Sequence, residues 1–430
     1  MTAADWKARV LDAVDDSRAE LVTFLAELVR MPSVGGTDAE NEAQQHLAGA
    51  FDRVGLDVDH WRLPLPELLA EPDFPGVEVD RDEAWGLVGR LPGNGGGRSL
   101  MWNGHIDVVP PGDAATWTDR DPYSGRLDGA LIRGRGACDM KAGLTAAFFA
   151  VRALARSGVP LGGDVLLASV QGEEDGGLGS YALIRRGWRA DACVIPEPTG
   201  LDIVPATAGA LTFRLRVPGK ATHAARRTSG VSALEKFWPV WRALAALEHR
   251  RNATVDPLVA RWDIAYPISV GVVRGGEWAS TVPDALVAEG RLGVALGEPV
   301  AAARADLEMA VAQACDADPW LRDHPVQVEW WGGAFAPGTL PPESDLVQRM
   351  SAAHAQVSER PAQTWAAPYG SDLRLLTNLA GVPTLHYGPG DVVQAHAPDE
   401  SVSLHEVLDC TRTLVLLALD VCGVRAATVM

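Results

Sequence analysis

The chain has 430 residues, 47% of them hydrophobic and 22% charged. That is enough apolar material for two or three domains with cores of their own, and it argues against a disordered chain. With 38 Lys+Arg against 56 Asp+Glu the formal net charge is -18, spread along the chain. Such a surface repels phosphate backbones, so nucleic acid is not expected as a partner; the acidity reads as a solvated surface.

The five cysteines, Cys138, Cys193, Cys315, Cys410 and Cys422, are scattered, odd in number and lack a C-x-x-C pair. They argue against a disulfide framework and suit a reducing cytosol. The opening stretch MTAADWKARVLDAVDDSRAE is polar and charged and lacks the pattern of a signal peptide. No run of about 18 apolar residues is present to span a membrane. The expectation is a cytoplasmic protein with no membrane partner.

In chain order, Val10, Leu11, Val14, Leu21, Leu25 and Leu28 recur at helical spacing and predict one amphipathic helix over 6–30, stopped by Pro32. A second helix is expected over 38–54, ending near Gly55, and 64–76 reads as loop. Trp85 to Leu91 is a strand, and Gly93 to Gly97 a turn; no G-K-[ST] follows, so it is not a phosphate loop. An arrangement then recurs in which a short apolar run releases polar residues. Ser99 to Trp102 leads to His105 and Asp107, and Asp164 to Val170 leads to Glu173 and Glu174. Ala192 to Ile195 leads to Glu197, and Pro383 to Tyr387 leads to Gly388 and later His396. This describes an α/β sheet, mixed or mostly parallel and flanked by helices such as Lys141 to Ser157, with its ligand site beyond the strand ends.

The middle of the chain differs. Strand 210–217, helix 231–250, strands 268–273 and 285–294, helix 299–314 and strand 326–331 follow the order of a ferredoxin-like α+β unit. The expected organisation is a larger domain in two parts, 1–207 and 336–430, with a second domain inserted at 208–335. A helix at 344–358 follows the return.

Chemistry-bearing residues cluster at the strand ends. In NGHIDVVP, His105 and Asp107 read as a surface pair or as a metal-ligating imidazole beside a carboxylate that holds its other nitrogen. Asp139, just before a helix pattern, reads as an N-cap or as a carboxylate bridging two cations. Glu173, Glu174 and Asp175 are adjacent acids that repel one another unless cations or donors compensate. Glu197 stands between Pro196 and Pro198, which fix the backbone around it, and His396 lies in a loop. Together two imidazoles and three carboxylates suffice for two divalent metal ions sharing Asp139. A donor set of nitrogen and oxygen without thiolate suits zinc, with cobalt or manganese as alternatives. Glu173, left over beside a ligand, is the candidate general base for the attacking water.

The segments GHIDVVP, GRGACDMKAG, QGEEDGG, PEPT, GKATHA, YGSDLR and GPG-to-AHAPDE, between about residues 100 and 410, resemble the di-zinc aminoacylase and carboxypeptidase family that includes acetylornithine deacetylase and succinyl-diaminopimelate desuccinylase. The resemblance implies that His105 and Glu197 bind one zinc, Glu174 and His396 the other, and Asp139 both. Asp107 would orient His105 and Glu173 would be the base. It further implies that the two-part domain is catalytic, that the inserted domain is a lid and dimerisation domain, and that His223 reaches an active site across a homodimer to stabilise the oxyanion. Arg374, with Ser371 and with Gly388 of the GPG segment, would bind a substrate carboxylate. The family commonly has Asn where Ser280 and Ser232 stand here, which bears on substrate choice. The activity implied is hydrolysis of an amide bond of an N-acyl amino acid or similar small carboxylate. A dipeptidase, aminopeptidase or deformylase, a non-catalytic metal-binding protein and a scaffold protein stay open.

Overall fold

Strands that are apolar at every position form the centre of the larger unit. Leu100–His105, Val165–Val170 and Ala192–Ile195 are buried along their whole length, as strands covered on both faces must be. The computed structural model describes residues 2–425; residue 1 and residues 426–430, at the outer ends of the expected flanking segments, lie outside the described residues. The sheet runs Asp57–Arg62, Trp85–Leu91, Val165–Val170, Leu100–His105, Ala192–Ile195, Thr384–His386, Ile203–Thr207. The central pairs are parallel and the outer ones antiparallel.

Alternate strand residues face opposite layers. Leu100, Trp102, Leu167, Val194 and Leu385 pack with helices Ala3–Asp16, Arg18–Arg30, Asp38–Arg53, Ala142–Ser157 and Leu404–Cys422. Met101, Leu166, Ala168, Cys193 and Ile195 pack on the other side, with helix Leu178–Arg186. The four parallel strands run in one direction, so the residues that follow them emerge at one edge of the sheet, where open α/β sheets bind ligands.

Several elements differ from the sequence reading. The helix expected over 6–30 is two, Ala3–Asp16 and Arg18–Arg30, parted at Ser17, whose hydroxyl donates to the Ala13 carbonyl at 2.8 Å. Segment 64–76 contains the short helix Leu65–Leu69. Helix 344–358 is shorter, Asp345–His354.

The second unit comprises Thr207–Gly338 and Ala366–Ser371, the latter a stretch that the sequence reading leaves in the flanking segment. Its antiparallel sheet has the order Ile268–Gly275, Ala285–Val294, Gly209–Pro218, Gln327–Phe335. With helices Ala233–Arg251 and Val300–Ala317 between strands, this is the connectivity of a split βαβ unit. Leu211, Phe213, Leu215 and Val217 face Phe237, Leu244, Leu307 and Val311. The intervening residues carry ion pairs instead: Arg214 meets Glu289 at 2.7 Å and Arg216 meets Glu329 at 2.5 Å. One sheet face is thus packed and the other polar.

Candidate metal centre

His105, Glu174 and Glu197 come at or after the ends of buried strands, Asp139 lies in the segment just before helix Ala142–Ser157, and His396 lies in an exposed loop. His105 ends its strand and is 1% exposed. Its Nδ1 donates to the Asp107 carbonyl oxygen at 2.9 Å. That bond fixes the tautomer and leaves Nε2 as the electron-pair donor. Nε2 lies 3.2 Å from Asp139 Oδ1 and 3.6 Å from Glu197 Oε1. Asp107 therefore touches His105 through its backbone, its carboxylate standing 3.7 Å away. That carboxylate instead accepts the amides of Glu173 and Glu174, at 3.4 and 3.2 Å.

Asp139 does not cap the helix that follows; Ala142–Ser157 has no side-chain cap. The Asp139 segment is held by Glu400, which accepts from the amides of Gly136, Cys138 and Asp139 at 3.1, 2.7 and 3.0 Å. Glu400 also pairs with Arg135 at 2.7 Å, and Arg135 donates to the His396 carbonyl at 3.1 Å. One buried ion pair thereby ties together the segments carrying Asp139 and His396. The sequence reading missed both residues, although they stand inside the GRGACDMKAG and AHAPDE segments.

His396 sits at φ 62 with its side chain 53% exposed. Its Nε2 is 3.1 and 3.3 Å from the two Glu174 oxygens and 3.6 Å from Asp139 Oδ2. Asp139 stands between the two imidazoles, one oxygen toward each. Glu197 is placed by close backbone approach. A methyl group at Gly143 would lie 1.8 Å from the Pro196 carbonyl oxygen, and one at Gly388 2.5 Å from that of Glu197. Only glycine fits there. Gly388 also exchanges hydrogen bonds with Thr199 and accepts from the Leu201 amide. It is packed beneath the Glu197 loop.

Ligand atoms of His105, Asp139 and Glu174, and again of His105, Glu173 and Glu197, lie within 4.8 Å of one another. Burial, then the neighbouring acids, pushes the Glu197 carboxyl well above the usual range. Burial, with Asp372 next, does the same to Glu173. Burial opposes charge on the His105 ring, but the hydrogen bond to Asp139 and the surrounding acids outweigh it and raise its pKa well above the ordinary value. Glu174, foremost, raises His396 to about 9. Divalent cations placed among these acids would offset the buried negative charge. The nitrogen and oxygen donors, with a fixed His105 tautomer, fit zinc or a similar ion.

The remaining expected residues lie as follows. Arg374 is 2% exposed; its Nη2 donates to the Gly176 carbonyl at 2.7 Å and its Nη1 is 3.8 Å from Asp372. Ser371 is buried and belongs to the second unit. His223 is exposed in that unit and accepts from the Ala225 amide through Nδ1 at 3.1 Å. Ser232 caps helix Ala233–Arg251 by accepting from Glu235 N at 3.4 Å. The Ser280 carbonyl accepts from Ala224 N at 2.8 Å.

The model of peptidase family M20/M25/M40 matches residues 101–420. An N-formyl-4-amino-5-aminomethyl-2-methylpyrimidine deformylase of Halalkalibacterium halodurans is 27% identical, over 97% of this chain and 98% of its own length. A succinyl-diaminopimelate desuccinylase of Methylobacterium sp. (strain 4-46) is 35% identical over 46% of this chain and 48% of its own. Among solved structures, the dipeptidase Dug1p of Saccharomyces cerevisiae superposes with a TM-score of 0.77 at 13% identity, over 97% of this chain and 98% of that one. That likeness is one of fold.

Protonated imidazoles cannot ligate, so a metal held by His105 and His396 would displace their protons. With His396 held at about 9, zinc affinity should rise with pH up to that value, and zinc uptake near neutral pH should release protons. Calorimetry in two buffers of different ionisation enthalpy measures this. Heats that do not depend on the buffer would contradict the assignment of these imidazoles as ligands.

Proposed function

The chain belongs to peptidase family M20/M25/M40, and from that premise we propose that it hydrolyses an amide bond of a small N-acyl substrate with a pair of divalent cations as cofactor. The observation that carries this reading is the convergence of His105, Asp139, Glu174, Glu197 and His396, with Glu173 beside them. His105 and Glu197 would hold one cation and Glu174 and His396 the other, with Asp139 shared. When bound, the cations supply Lewis-acid polarisation of the carbonyl and lower the pKa of water. Zinc suits the donors best, with cobalt and manganese next.

Glu173 accepts the proton of the attacking water and returns it to the leaving amine nitrogen. Glu173 is buried beside the candidate ligands His105 and Glu197, which puts a proton acceptor next to the water that the cations would activate. Asp107 fixes the amides of Glu173 and Glu174 and the His105 tautomer. His223, by the family resemblance, is the donor to the developing oxyanion, with the second unit acting as a lid.

Two features favour a short acyl group, formyl above all, on a small amine. The deformylase matches over nearly the whole chain, the desuccinylase over 46% of it. Arg374 is buried and donates to Gly176, which makes it a weaker candidate for gripping a substrate carboxylate. An N-acyl amino acid, read through Arg374, Ser371 and Gly388, is the second reading. Five buried free cysteines suit a reducing cytosol. Among the described residues no helix is long and apolar enough to cross a membrane.

The reading includes a homodimer through the second unit. Leu234, Trp238 and Trp241 are 56%, 54% and 44% exposed and lie at i, i+4 and i+7 of one helix, the two indoles stacked at 5.5 Å. Such an exposed stripe suits an isologous pairing. Trp238→Glu with Trp241→Glu should halve the mass seen by light scattering. A wild-type protein that is already monomeric would overturn the pairing.

Glu173→Gln should lower kcat by about 10²–10⁴-fold while metal content holds, assayed on N-formyl amines and on N-acetyl and N-succinyl amino acids, with and without chelator. Loss of metal from the variant would mean that Glu173 is a ligand and not the base.

A further inference from the structure

Arg81 stands in Asp80-Arg81-Asp82-Glu83, a charged run of the kind that normally faces water, yet its side chain is 2% exposed. Its Nε and Nη2 meet the two oxygens of Glu40 at 3.0 and 3.3 Å. Its Nη1 meets Asp175 Oδ2 at 2.9 Å and the Val79 carbonyl at 3.4 Å. Asp175 also accepts from the amides of Glu78 and Val79, at 3.2 and 3.0 Å, and Glu40 from that of Gly36 at 2.8 Å. Asp175 immediately follows Glu174. At the other end of the loop is Gly172, at φ +71, where a methyl group would lie 3.2 Å from the guanidinium carbon of Arg81.

Loop 172–177 is therefore fastened at successive residues by groups from distant parts of the chain. Asp107 takes the amides of Glu173 and Glu174, Arg81 takes Asp175, and Arg374 takes the Gly176 carbonyl. A buried ion triad contributes little net stability beyond an apolar filling of the same volume. What the fork of a guanidinium supplies is direction, since it fixes two carboxylates in one plane.

We propose that Arg81 is a positioning residue, and that the Glu40–Arg81–Asp175 clamp sets the direction in which Glu173 and Glu174 leave the sheet. The proposal rests on the reading of Glu173 as base and Glu174 as ligand. Arg81 touches neither, and it acts through Asp175 and the backbone beneath Gly172. A lysine at this position keeps the charge and loses the fork. An asparagine at Asp175 keeps the shape and loses the charge.

Arg81→Lys and Asp175→Asn are to be compared with wild type in two ways. In metal-free protein, amide hydrogen exchange over 172–177 should quicken about tenfold or more, while helix Ala142–Ser157 and strand Val165–Val170 keep wild-type protection. In metal-loaded protein, kcat should fall about tenfold or more, with KM within about twofold and metal content unchanged. Asp175→Asn serves as the test should Arg81→Lys not fold. Wild-type loop exchange and kcat in a folded variant, or exchange that quickens evenly across the first unit, would overturn the clamp. If the loop loosens while wild type itself hydrolyses no amide, the clamp stands and the catalytic reading fails.

Discussion

Holding several carboxylates together out of water is the constraint on which the rest of the structure depends. Asp107, Glu173 and Glu197 are buried, and Asp139 and Glu174 are nearly so. Removing one such charge from water costs several kcal/mol even after relaxation. Two imidazoles and a set of backbone amides offset part of that, while burial still pushes the Glu173 and Glu197 carboxyls well above the usual range. Buried, mutually repelling acids of this kind cluster at functional sites. Parallel strands that end at one sheet edge are the means of gathering them, and the apolar layers on both faces are what keep those ends in place.

The acids are then aimed by a further ring of fixed groups. A carbonyl sets the His105 tautomer, Glu400 and Arg135 join the Asp139 and His396 segments, and glycines at 143 and 388 let backbone pass close beneath Glu197. The Arg81 clamp and Arg374 complete the ring under loop 172–177. Ligand sets need this support, because a shift of even one ångström alters both metal affinity and catalysis.

Much of this was legible in the residues. Strands Trp85–Leu91 and Ala285–Val294 fall where the sequence puts them, since short apolar runs between turn residues leave little choice. The polar residues after the strands were readable as one set even though each alone was ambiguous. The break at Ser17 was hidden because the apolar stripe continues through it. Helix Leu404–Cys422 escaped because it is buried on several faces, Cys410, Thr411, Thr413 and Leu414 through Ala418 included, which blurs the helical period. The three-residue strands Arg126–Asp128, Leu131–Arg133 and Ser401–Ser403 are too short to show any period. Arg81, Arg135 and Glu400 look like surface charges in sequence, and only the tertiary fold buries them. The direction of the Asp107 contact, through carbonyl and not carboxylate, is likewise a matter of loop geometry that residue type does not encode.

The central claim is that these side chains surround a pair of cations sharing Asp139. Anomalous diffraction from zinc-loaded crystals at the zinc edge tests it most directly. The account predicts two peaks about 3.5–4 Å apart, one within bonding distance of His105, Asp139 and Glu197, the other of Asp139, Glu174 and His396. A single peak, or peaks away from Asp139, would contradict it.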